Sequence, residues 1–118
     1  MQVGTLRDAD DGRIVVQRAA RTTNVVERLR GLLGAPPLAA DAGLWLLPCN
    51  SVHTAFMRVA IDVVFIDRSL RVVRIVAALP PWRYAGSLRA HSTLELAAGR
   101  AAALGLAVGS RLRWEPAA

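Results

Sequence analysis

Apolar positions along the chain fall mostly in short, β-branched runs separated by Gly, Pro, Asp and Ser, a pattern of strands joined by turns. Gln2 to Leu6 and Arg13 to Arg18 read as two strands around an acidic turn, Asp8-Ala9-Asp10-Asp11-Gly12. The Asp-Gly at its tip suits a hairpin, since both residues tolerate positive φ. Gly43 to Leu47 reads as a short apolar strand, broken at Pro48 to Asn50 and resumed over Ser51 to Thr54. Ile61 to Ile66 is β-branched and aromatic and predicts a strand. Val72 to Val76 follows after the turn-length connection Asp67 to Leu70, so the pair predicts a hairpin of two largely buried strands. Leu79 to Ser87 reads as a loop, and Thr93 to Leu96 and Leu112 to Trp114 as further strands.

Two stretches change to a helical period. Val25, Val26, Leu29, Leu32 and Leu33 form one apolar stripe, predicting a helix over Asn24 to Leu33. Asn24 is its N-cap, Glu27 stands where it can reach back, and Gly34 with Pro36-Pro37 ends it. Arg28 and Arg30 then lie on a solvated face. Ala98 to Leu104 is alanine-rich and helical, with Gly105 as its stop. Many strands with two helices predict an α+β fold, mainly an antiparallel β-sheet or small barrel-like β fold with two short helices packed against it. At 118 residues the chain fits a single domain spanning 1–118.

Composition narrows this picture. A hydrophobic fraction of 53% with only 20% charged residues excludes a disordered chain. No apolar run approaches the roughly 20 residues of a transmembrane helix. The N-terminus lacks the basic, apolar and small-residue segments of a secretory signal, so a cytoplasmic location is expected. The single cysteine, Cys49, excludes an internal disulfide and a multi-cysteine zinc site. Net charge is +6, with arginine as the only cationic residue type counted. The arginines are scattered along the sequence without a run, which argues against nucleic acid as a partner, although a basic nucleic-acid-binding module is one alternative.

The order of several motifs resembles uncharacterised protein family 0127, also known as domain of unknown function 192. They are Glu27-Arg28-Leu29-Arg30-Gly31-Leu32-Leu33, Val52-His53-Thr54 with Met57-Arg58, and Ile61 to Asp67. Pro81-Trp82-Arg83, Leu94 to Gly99, and Gly105-Leu106 with Val108-Gly109 complete the set, covering about residues 20–113. Ala60 and Ala97 stand where the family often has proline. The resemblance implies a compact, mostly β fold with two short helices and no established reaction. It also implies occasional association with secretion or pilus components, hence a protein partner of that kind or a small ligand.

Three groups of residues are candidates for chemistry. Cys49, Ser51 and His53 share one face of an extended chain, and a thiolate beside an imidazole would be a nucleophile for a hydrolase or transferase. Extended geometry puts Cys49 and His53 about 13 Å apart, so a buried, packing cysteine competes with that reading. Histidines 53 and 91 with Cys49 and Asp62 show no familiar metal spacing, so neither a metal nor a cofactor is expected. Asp62, inside an apolar strand, must be exposed, paired or hydrogen-bonded, with Arg58 and Arg83 as candidate partners. Trp82, Arg83 and Tyr84 fit a binding rim or a cover over one end of the fold. Phe56 and Met57 read as packing residues, and Glu95 as an outward strand position or a partner for Arg83. The leading expectation is a non-enzymatic binding or accessory domain whose site combines His53, Thr54, Arg58 and Asp62 with the Trp82-Arg83 loop.

Overall fold

A computed structural model describes residues 1–32 and 37–118. Among these described residues, nine strands and two helices follow in the order β1 (Gln2–Asp8), β2 (Ile14–Arg21), α1 (Val25–Arg30), β3 (Ala42–Leu46), β4 (Ser51–His53), β5 (Ile61–Ile66), β6 (Val72–Leu79), β7 (Tyr84–Gly86), β8 (Ser92–Ala97), α2 (Arg100–Ala103) and β9 (Leu112–Pro116). Seven strands form one sheet in the order β6-β5-β8-β3-β2-β1-β9, and β4 and β7 form a separate two-stranded ribbon. All pairings are antiparallel except β2 with β3. The two edge strands approach at one corner through a bridge between Arg71 and Arg111, but the sheet does not close into a barrel. Of the two forms expected from the sequence, the open sheet is the one observed.

Strand alternation divides the sheet into two apolar faces. On β5, Val64 and Ile66 join Leu94, Leu96, Leu6, Val16 and Trp45 in one core, which α2 covers through Ala101. Ile61, Val63 and Phe65 point the other way, beneath Ala85 of the ribbon, Val52 and Met57. This is why Ile61–Ile66 is buried throughout and shows no polar alternation: both faces of β5 are covered.

The first hairpin forms as the sequence predicts. The Asp8 carboxylate accepts the N–H groups of Asp10 and Asp11, which holds its pKa below the usual carboxylate value. Arg13 and Arg111 approach the turn's carboxylates at 3.7–4.0 Å.

Helix α1 departs from expectation in length and orientation. It spans six residues and ends at Gly31, whose φ of 52° reverses the chain. The expected continuation through Leu33 and the stop at Gly34 and Pro36 lie outside the described residues. Val25, Val26 and Leu29 are exposed, while Arg28 is half-buried and the Glu27 side chain is largely covered, so the helix turns its polar side inward. The physical cause is local. Glu27 accepts the Thr23 N–H at 2.8 Å and hydroxyl at 2.9 Å, and pairs with the Met1 amino group at 2.6 Å. Those partners, the amino group foremost, hold its pKa down at about 2. Asn24 caps the helix as predicted, its side chain accepting from Glu27 N at 2.9 Å. Leu32, beyond the helix, packs on the second core.

Candidate functional site

Asp62 lies in β5 where the pairing with β6 shifts register. The residue has no exposed surface. One oxygen accepts the N–H of Ala78, at the bulge, and the other accepts the N–H of Ala101, both at 2.8 Å. Ala101 is in the first turn of α2, whose N-cap is Gly99 and therefore has no side chain to offer. A carboxylate from a neighbouring strand does the capping instead, and ties bulge, strand and helix together. Of the readings the sequence allows, the one observed is hydrogen bonding to backbone N–H groups. Neither Arg58 nor Arg83 pairs with it.

Thr54 is equally sealed, and organises the loops at the end of the ribbon. Its hydroxyl donates to Pro80 O at 2.6 Å and accepts from Arg83 N at 2.8 Å. Its carbonyl accepts from Met57 N and Trp82 N. The loops carrying Phe56 and Trp82 are thereby pinned to one residue. Both aromatic residues sit at positive φ, 65° and 63°, and both project outward. Phe56 is thus not the packing residue expected; its ring leans on Trp82 with centroids 4.6 Å apart. Arg83 donates to the Trp82 carbonyl, and Arg58 is exposed.

His53 and Cys49 do share a cavity. It is a cleft of about 270 Å³ between α1, the Gly31 turn, the end of β3 and the start of β4. Arg28, Arg30, Cys49, Ser51, His53 and Met57 are among its walls. The Cys49 thiol donates to Ser51 O at 3.1 Å rather than to the imidazole. Among the described residues, no group of three or more His, Cys, Asp or Glu is placed to hold a metal.

The residue that sequence reasoning missed is Glu95, which also lines this cleft. It lies in the middle of β8, opposite Leu44 on β3 and Val63 on β5, and so on the second-core face. Only 5% of its surface is exposed. Burial pushes its pKa up from 4.5 to about 7, and no hydrogen bond or positive charge among the described residues opposes it. Gly31 faces it closely: a Cβ there would come within 3.8 Å of Glu95 Oε1. No sealed side-chain oxygen or nitrogen among the described residues lacks a partner, so the Glu95 oxygens meet the space of the cleft. Arg83, the partner expected from the sequence, is not in contact with it. The available signal was a glutamate between leucines in a strand, which looks outward when only one face of the sheet is assumed to be covered.

The sequence profile described as "Uncharacterized ACR", DUF192, matches residues 6–114. The chain belongs to the DUF192 family. It is 36% identical over 97 residues to a UPF0127 protein of Pyrococcus furiosus, covering 77% of this chain and 81% of that one. A second UPF0127 protein, from Pyrococcus horikoshii, is 33% identical over 95 residues, covering 75% and 80% respectively. Among solved structures, the fold is similar to a Sinorhizobium meliloti protein described as a "putative transcription regulator", with a TM-score of 0.81 at 22% identity, covering 96% of this chain and 92% of that one. At that identity the likeness extends to the fold alone. DUF192 is a family of unknown function, so neither the family nor the fold names a reaction. No described helix is long and apolar enough to cross a membrane.

Proposed function

We propose that this DUF192 domain is a non-enzymatic binding module that holds a small polar ligand in the cleft between α1 and β4, with Glu95 as its inner anchor. The observation that carries this reading is a carboxylate that is almost fully buried, lines the cleft and has no hydrogen-bond or ionic partner among the described residues. Burying such a group without a partner costs stability, and perturbed carboxyls in clefts concentrate at functional sites. A ligand hydroxyl or amine directed at Glu95 would supply the missing donor. Arg28 and Arg30 add positive charge to the walls, suited to an anionic group on the same ligand. A volume of about 270 Å³ is at the lower end of ligand pockets, favouring amino-acid or monosaccharide size. His53 remains in the proposed site, and Cys49 joins it as a wall. Thr54 and Asp62 are outside its walls: Thr54 pins the Trp82 loop and Asp62 caps α2.

Ligand-observed NMR with panels of amino acids, hydroxy acids and monosaccharides tests the reading. Glu95→Met keeps the side-chain length and removes both acceptors. Binding of a donor-bearing probe by wild type and its loss in Glu95→Met is the expected result. Silence across all three panels, or equal binding by the variant, would count against the site.

A further inference from the structure

The ribbon β4–β7 presents a second, independent feature on the outside of the molecule. Residues 42–61 and 68–94 contain six arginines (Arg58, Arg68, Arg71, Arg74, Arg83, Arg89) and no aspartate or glutamate, whereas the rest of the chain balances nine arginines against nine acids. The whole formal charge of +6 therefore originates in these two stretches, which include both strands of the ribbon and all of β6. Of these six, Arg74 lies against the ribbon and Arg68 and Arg89 lie beside Leu88, whereas Arg71 donates to Gly109 O at the corner near β9.

Apolar side chains stand out from the same region. Phe56 is 72% exposed, Trp82 60%, Tyr84 71% and Leu88 99%. Phe56 and Trp82 touch each other, and Tyr84 and Leu88 share a shallow depression with Arg74. Arg74 is held against the ribbon by a hydrogen bond from its guanidinium to Gly86 O. Arg89 and Arg68 lie beside Leu88 in the next depression, where Asp67 is the one acidic residue. The aromatic pair is not loosely hung: Thr54 fixes both loops, and both residues adopt a left-handed conformation that side chains disfavour. A braced, strained presentation of rings to water marks a contact surface rather than incomplete packing.

We propose that this ridge docks on a membrane surface containing anionic lipid, with Phe56, Trp82, Tyr84 and Leu88 entering the headgroup boundary and the flanking arginines pairing with lipid phosphates. Aromatic residues partition to that boundary, and arginines near an anionic surface are drawn to it. Single-stranded nucleic acid is the other polyanion with matching chemistry, through stacking of its bases on aromatic faces. The observations favour lipid. Phe56 and Trp82 are tilted by 60° and partly cover one another, leaving no flat platform, and Leu88 has no π-face to stack on. The cleft at Glu95 plays no part in this proposal.

Co-sedimentation with phosphatidylcholine vesicles, with and without phosphatidylglycerol, tests it directly. Trp82 is the reporter, since Trp45 is buried and Trp114 is half-buried. The expected result is binding to the phosphatidylglycerol vesicles alone, with a blue shift of emission, weakening as salt rises. Phe56→Ser combined with Trp82→Ser should lower partitioning by about tenfold or more. Leu88→Ser, at a residue exposed enough to leave the fold untouched, should lower it more modestly, and unchanged circular dichroism would confirm that the variants fold. No binding to anionic vesicles at low salt, or undiminished binding by both variants, would overturn the proposal. So would quenching of Trp82 by a single-stranded oligonucleotide when vesicles leave its emission unchanged.

Discussion

Replacing Glu95 by glutamine should stabilise the protein, and by an amount that grows with pH. In the folded chain the carboxyl has its pKa raised from 4.5 to about 7 by burial. Below pH 4.5 the carboxyl is protonated in both folded and unfolded chains, and burial of the charge costs nothing. Between 4.5 and about 7 the unfolded chain loses this proton while the folded chain keeps it, so wild-type stability falls as pH rises. Above about pH 7 the full cost is present, about 3 kcal/mol at 1.36 kcal/mol per pH unit. That is a large share of the roughly 5–15 kcal/mol of a typical domain. An amide at this position carries no charge at any pH, so Glu95→Gln escapes the loss. Urea unfolding of both proteins across this pH range provides the assay, and the difference between them isolates one group. The depressed carboxyls of Asp8 and Glu27 behave oppositely, giving stability that is lost on acidification, but they are common to both proteins and cancel. Two parallel stability curves, or a wild type that gains on the variant as pH rises, would refute the reasoning.

Asp62→Ala removes the acceptor for two buried backbone N–H groups, and should cost about 3–5 kcal/mol in urea unfolding; Asp62→Asn, which keeps one acceptor, should lose less. Thr54→Val preserves shape but leaves Arg83 N without its hydroxyl, at a cost of about 1–3 kcal/mol, and should raise the mobility of Trp82 in fluorescence anisotropy. Leu29→Ser, at a position 76% exposed, should change stability by no more than about 0.5 kcal/mol by thermal melting. Truncating a core leucine, Leu94→Ala, should cost about 2–5 kcal/mol in the same measurement.

The strands were largely legible because β-branched runs and turn residues are local signals. Ile61–Ile66 has the predicted bounds, and the Asp8 to Gly12 turn forms its hairpin. The three-residue strand Tyr84–Gly86 reads as loop in the sequence, since its partner β4 is equally short and the pairing depends on tertiary contacts. The orientation of α1 was not legible either. Its stripe has helical spacing, but whether a stripe faces inward depends on what already covers the sheet, and here Glu27 and Arg28 take the inner side. The site was half-legible for the same reason. Asp62 stands out in the sequence as a carboxylate among apolar neighbours, and its partners in the fold are the backbone N–H groups of Ala78 and Ala101. Glu95 has the same local pattern, but its strand is central and covered on both faces, which only the sheet order reveals.

The protonation state of the Glu95 carboxyl decides whether the cleft holds an unpaired anchor, and a pH titration followed through its side-chain carboxyl carbon by NMR measures that state at a single residue. A midpoint near 7 is predicted, as burial without a partner requires. A midpoint at or below 4.5 would show a solvated or paired carboxylate, and would contradict the assignment of the cleft as a binding site.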